Sequence, residues 1–204
     1  LKLSNRYAPE THALLLSGMP ENRSTWLLAK KEGKEVESLY WKYSKSYCTS
    51  KDNDDIQYFV EKLISVKRFK DALSVAGSDN KISIPSILLK QVILGMLSEK
   101  ENLKADAMMD YYLSNVFLQL YERKELSDEE ISKLEWPFAA LFKEIYCHNK
   151  KPFAIYKVLE RNPELFSDLI KMIYKRDDGK VDSKNSEKIA RNAKIVLDGW
   201  GGIP

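Results

Sequence analysis

A chain of 204 residues, 44% hydrophobic and 31% charged, has ample apolar material for a folded core, which excludes a disordered segment. Eight glycines and seven prolines are too few for the many tight turns of an all-β protein. The 33 basic and 30 acidic residues nearly cancel at a net charge of +3, so the chain has no overall excess of the kind that grips a phosphate backbone.

Residues 11–16 predict a short apolar helix stopped by Gly18 and Pro20. Residues 21–31 predict a second, carrying Trp26, Leu27 and Leu28 and ending at Gly33. A third is expected over 34–47, where Val36, Leu39, Tyr40, Tyr43 and Tyr47 recur at helical spacing. Residues 49–55 are polar and aperiodic, which marks a loop and the best candidate for a subdomain boundary, between an N-terminal helical segment, 1–50, and a helical-hairpin array, 51–204, expected to pack as one continuous unit.

Asp54 and Asp55 then suit the positive end of a helix dipole. Ile56, Phe59, Val60, Leu63 and Ile64 follow as its apolar stripe. Lys67-Arg68 breaks the pattern before Phe69, Ala72, Leu73 and Ala76, so a helix, a tight turn and a second helix are expected. Pro85 fits a first helical turn, where its missing N–H is unpaired anyway. Ile87, Leu88, Leu89, Val92, Ile93, Met96 and Leu97 cover most of the next helix, predicting burial on nearly all sides.

Met109, Tyr112, Leu113, Val116, Phe117, Leu120 and Tyr121 give another stripe. Ser127 and Glu130 read as a capping box ahead of Ile131 and Leu134, and Pro137 is expected to break or kink that helix near Trp136. Helical patterns continue through Phe138, Leu141, Phe142, Ile145 and Tyr146, and then from Pro152. Another starts at Asn162-Pro163, and a last one, from about Ser186, carries Ile189, Ala193, Val196, Leu197 and Trp200. No segment alternates with period two. The expected fold is all-α, an irregular α-solenoid or array of antiparallel helical hairpins with about ten helices. Phe59 to Val75 and Phe142 to Val158 share an order of aromatic, acid, apolar pair, basic turn and short helix, a pattern of stacked hairpins.

Few residues suggest chemistry. The histidines His12 and His148 are far apart, and adjacent Cys147 and His148 point different ways on a helix, so no metal site is expected. Cys48 and Cys147 have no pairing pattern and fit reduced thiols in a cytoplasmic protein. No phosphate-cradling loop or nucleophile motif occurs, so neither a catalytic residue nor a cofactor is assigned. The most apolar segment, 82–97, is interrupted by Lys90 and Gln91, and no membrane partner is expected.

Two binding functions remain. Lys30, Lys31, Lys34, Lys42 and Lys45 lie among Trp26, Tyr40, Trp41, Tyr43 and Tyr47, a mixture that grips nucleic acid by charge and stacking. Glu32, Glu35 and Glu37 in the same stretch offset that charge, and the rings follow the helical stripe. Binding of another protein, or of another domain of the same polypeptide, is therefore the favoured reading, with nucleic acid bound through 26–47 as the alternative. Trp41 sits one step off the stripe. With Lys42 and Lys45 it forms the candidate interaction surface.

Two groups of residues carry a resemblance. The first is Trp26, Glu35-Val36-Glu37 and Tyr40-Trp41 with the hairpin over 58–76. The second runs from Leu159 to Phe166, with Arg191-Asn192-Ala193 and Leu197-Asp198-Gly199-Trp200. They resemble a helical region towards the C-terminal end of large, uncharacterised bacterial multidomain proteins. More generally the hairpins resemble TPR-like or HEAT-like units, with Ala72 and Ala76 as small residues of the TPR kind. The resemblance implies a non-catalytic helical region and carries no functional residue across. The chain's opening at Leu1 and its close on Gly201-Gly202-Ile203-Pro204 lead to the expectation that it is one piece of a longer polypeptide.

Overall fold

A computed structural model of the chain describes residues 7–78, 83–98 and 108–138. Local capping chemistry accounts for where its helices begin. α1, Pro9–Ser17, opens on a proline whose absent N–H has no partner to lose, and it closes at Gly18. α2, Arg23–Lys31, is capped by the Asn22 side chain, which accepts from Thr25 N at 3.2 Å. It therefore starts two residues later than the pattern suggested and leaves Glu21 outside the helix. Gly33, at φ 112°, supplies a backbone conformation that favours glycine between α2 and α3, Lys34–Tyr43.

α3 ends four residues short of the expected Tyr47, at the cap Ser44. α4, Asn53–Ser65, starts from Asp52, whose carboxylate accepts from the Asp54 and Asp55 amides. The break before α5, Phe69–Ala76, is a Schellman turn. In it Arg68 N donates to Leu63 O at 2.9 Å and Lys67 N to Ile64 O at 3.0 Å, with Lys67 left-handed at φ 61°. α6, Ser86–Ser98, follows directly on Pro85, whose carbonyl accepts from Leu88 and Leu89.

The described residues fall into two compact units, divided between Ser98 and Glu99. In the first, α1 packs on α3 and α2, α3 on α2 and α4, and α4 on both α5 and α6. The stretch 49–55, expected as a boundary, lies inside this unit. The core is aromatic where α2, α3 and α4 meet: Trp26, Trp41, Tyr58 and Phe59 have ring centroids 5.4–5.9 Å apart. Between α5 and α6 the helices approach so closely that a methyl group on Gly95 would overlap the Phe69 ring.

α6 is not buried on nearly all sides as expected. It buries Leu88, Leu89, Val92, Ile93 and Met96, while Ile87 and Leu94 are exposed. In the second unit, α7, Met109–Arg123, packs on α8, Asp128–Glu135. The Ser127–Glu130 capping box forms as expected, with Glu130 N donating to Ser127 Oγ and Ser127 N to Glu130 Oε2. The helix stops before Pro137 and gives way to a 3-10 turn, Trp136–Phe138, whose Phe138 ring meets Phe117 edge-on.

Eight α-helices, the 3-10 turn and no strand make up the described residues, so they are all-α. No helix among them is long and apolar enough to cross a membrane. The helices expected after Phe138, the second half of the hairpin repeat and the pair Cys147-His148 lie outside the described residues.

Candidate functional site

The sequence directed attention to 26–47, and the side chains there sort into two groups. Trp26, Tyr40 and Trp41 are interior, at 1%, 0% and 1% exposure. Trp41 thus belongs to the core rather than to the surface for which it was singled out. α3 has neighbours on several sides, so a residue one step off its stripe still meets another helix. Tyr43 and Tyr47, placed on the buried stripe by periodicity, are exposed instead. Lys42 is exposed. Lys45 is half-buried, with its ammonium donating to Met19 O at 3.4 Å. The three candidate residues therefore do not share one exposed surface.

Beneath them lies a carboxylate that no pattern in the sequence marks. Glu21 is 1% exposed and accepts three hydrogen bonds. Tyr40 Oη and Trp26 Nε1 donate to its Oε2 at 2.6 and 3.1 Å, and Lys45 N donates to its Oε1 at 2.9 Å. Its own carbonyl accepts from Thr49 Oγ1 at 2.7 Å. Glu21 thereby ties α2, α3 and the chain leaving α3 around one point. Burial, with the Glu21 hydrogen bond and charge behind it, pushes the Tyr40 phenol well above its usual value, an effect the Trp26 contact offsets in small part.

Arg68 binds the same C-terminal end of α3 from the turn before α5. Its guanidinium donates to Trp41 O, Ser44 O and Ser44 Oγ at 3.0, 2.7 and 2.9 Å, and its Nε to Asp71 Oδ2 at 2.6 Å. A fork of donors on the last carbonyls of a helix satisfies groups that have no partner inside it. Lys62 joins α4 to α3 through Glu37 at 2.6 Å, with its ammonium 5.3 Å from the Tyr58 ring centroid. These polar groups all hold helices together.

Two further side chains among the described residues are Cys48 and His12. Burial pushes the Cys48 thiol up, and Asp55 and Glu21 add to this against a lowering Ser50 backbone bond. That is the reverse of an activated nucleophile. His12 is buried with Nδ1 3.9 Å from Glu32 Oε2, too far for a hydrogen bond, and its Nε2 has no partner. No group of three His, Cys, Asp or Glu among the described residues is placed to hold a metal ion.

The outward face of α2 is different in kind. Its inner side buries Thr25, Trp26 and Ala29, and its outer side presents Arg23, Leu27, Lys30 and Lys31. The acids expected to offset this charge are largely withdrawn. Glu32 has a side chain only 8% exposed, Glu37 is engaged by Lys62, and Glu35 alone of the three is exposed. No protein-family model matches the chain, and neither a curated protein nor a solved structure matches it.

Proposed function

We propose that this chain is a non-catalytic helical module that binds another protein or another domain of the same polypeptide. The observation that carries the proposal is the exposure of large apolar side chains on α1, on α2 and in the turn between them. Leu14, Leu15 and Leu27 are 51%, 54% and 57% exposed, and Met19 stands exposed in the turn between the two helices. Isolated exposed leucines are common, and apolar side chains left at the surface on two successive helices are groups that a partner could cover. The polar side chains of Glu21, Arg68 and Lys62 support the same reading, because they are occupied in bonds that join α3 to neighbouring segments. In this reading the helices continue as an irregular α-solenoid of about ten, one region of a larger intracellular bacterial protein.

The test is affinity capture with the native chain and with a Leu14→Glu, Leu15→Glu variant whose thermal unfolding matches it. One protein recovered repeatedly by the native chain and lost from the variant is the expected result. Indistinguishable recovery by the two, or no partner in repeated captures, counts against the proposal.

The alternative, a nucleic-acid-binding helical domain, draws on exposed Lys30, Lys31, Lys34 and Lys42. It is weakened by the burial of Trp26, Tyr40 and Trp41, which removes three of the five rings it would stack on bases. Absence of DNA or RNA retention in filter binding at low salt disposes of it.

A further inference from the structure

We propose that the outward face of α2, with Leu27 set among Arg23, Lys30 and Lys31, docks an acidic segment of a partner protein that presents an apolar residue between carboxylates. The inference rests on the interaction-module reading and assigns the chemistry of one partner.

Arg23 lies four residues before Leu27, while Lys30 and Lys31 lie three and four residues after it, so all four share one helical face. Leu27 is 57% exposed, Arg23 has 64% of its side chain exposed, and both lysines are exposed. Lys34 follows, exposed, at the start of α3. α2 contains no acidic residue. Arg23 is shared with Asp55 at 2.8 Å. Lys30, Lys31 and Lys34 have no ion-pair partner among the described residues. With Glu32 and Glu37 turned away, Glu35 is the one nearby acid left at the surface in the stretch 30–37, against three lysines.

A cationic face attracts any anion, so the central residue decides the class. A nucleic acid takes cationic and polar contacts on its phosphates and stacking rings on its bases, and of the large rings of α2 and α3, Trp26, Tyr40 and Trp41 are inside while the exposed Tyr43 is bonded to Glu10. An exposed leucine ringed by cations instead fits an apolar side chain ringed by carboxylates. The leucine contact supplies burial, and the charges supply register and encounter rate.

The experiment uses the full chain and fluorescence anisotropy. One probe is a labelled peptide with Leu flanked by Glu at helical spacing; a second replaces that Leu with Ser; a third is a labelled single-stranded oligonucleotide. The Leu-centred peptide is expected to bind at low salt and to be released near 1 M salt, where the Debye length is about 3 Å. Lys30→Glu with Lys31→Glu should weaken it by about tenfold or more, and Leu27→Ser by about tenfold. All these side chains are exposed, so matching thermal unfolding of the variants is a direct control.

Failure of the peptide to bind, or equal binding by the native chain and the variants, overturns the proposal. So does oligonucleotide binding as tight as the peptide's and indifferent to Leu27→Ser, which would assign the face to phosphate. A partner captured through Leu14 and Leu15 and unaffected by the α2 variants would sink this inference while leaving the interaction-module reading intact.

Discussion

The Tyr40 hydroxyl donates to the Glu21 carboxylate at 2.6 Å in the interior, joining the residue before the α2 cap to the last turn of α3. Tyr40→Phe keeps the ring and deletes one of three donors to a buried carboxylate. It should cost about 1–3 kcal/mol by denaturant titration at neutral pH.

The same bond predicts an alkaline effect. The folded-state phenol lies above its ordinary value of 10.0, chiefly through burial and then through Glu21. Below that ordinary value the phenol is protonated in both folded and unfolded chains, and the stabilisation is fully present. As pH rises past it, the unfolded chain ionises while the native phenol holds its proton, so stability falls. Denaturation midpoints between about pH 9 and 11 should therefore drop more steeply for the native chain than for Tyr40→Phe. Parallel curves would refute this.

Trp26 and Trp41 are equally buried but differently bonded. Trp26 Nε1 donates to Glu21, whereas Trp41 Nε1 has no partner. Each change to Phe leaves a similar void, but only Trp26→Phe removes a hydrogen bond to a carboxylate, and only Trp41→Phe removes an unsatisfied N–H. Trp26→Phe should be the more destabilising by about 1–2 kcal/mol in urea unfolding. The reverse order would contradict the role given to Glu21.

Gly95→Ala should reverse the usual helix preference. In an open helix the change stabilises by up to about 1 kcal/mol. Here the new methyl overlaps the Phe69 ring, and the crowding should cost about 1–3 kcal/mol instead. Phe69→Leu in the Gly95→Ala background should recover part of that loss. Calorimetric melting of the two single variants and the double variant would reveal this coupling, and simple additivity would argue against the contact.

Lys67→Gly should stabilise the hairpin. Lys67 is left-handed at φ 61° in the turn between α4 and α5, a conformation with a steric cost for a side chain. Part of the gain is offset by the greater freedom of glycine in the unfolded chain, leaving about 0.5–1 kcal/mol. A lower melting temperature for this variant would count against the Schellman geometry.

Much of this fold is legible in single segments. Asp54 and Asp55 at the start of α4, the Lys67-Arg68 break, the Ser127–Glu130 box and the interruption at Pro137 all occur as the local pattern predicts. The surface was less legible. Periodicity put Tyr43 and Tyr47 inside and Trp41 outside, and the structure does the opposite. The offsetting acids around the lysines also looked equivalent in sequence, yet the Glu32 side chain is largely covered, Glu37 is paired and Glu35 is exposed. Glu21 and Arg68, which draw α3 to the loops beside it, carry no local signature, because their partners in α3 and just past it stand 19–27 positions away along the chain.

The amino-acid sequence by itself determined that the described residues are helical and where most helices start and stop, because caps, prolines and apolar spacing act within a few residues. The tertiary structure alone decided which faces of α2 and α3 are covered, that Glu21 and Arg68 are joints between segments, and that α2 presents an exposed apolar residue among exposed lysines. Burial is set by neighbours distant along the chain, and a helix with neighbours on several sides has no single stripe to be read in advance.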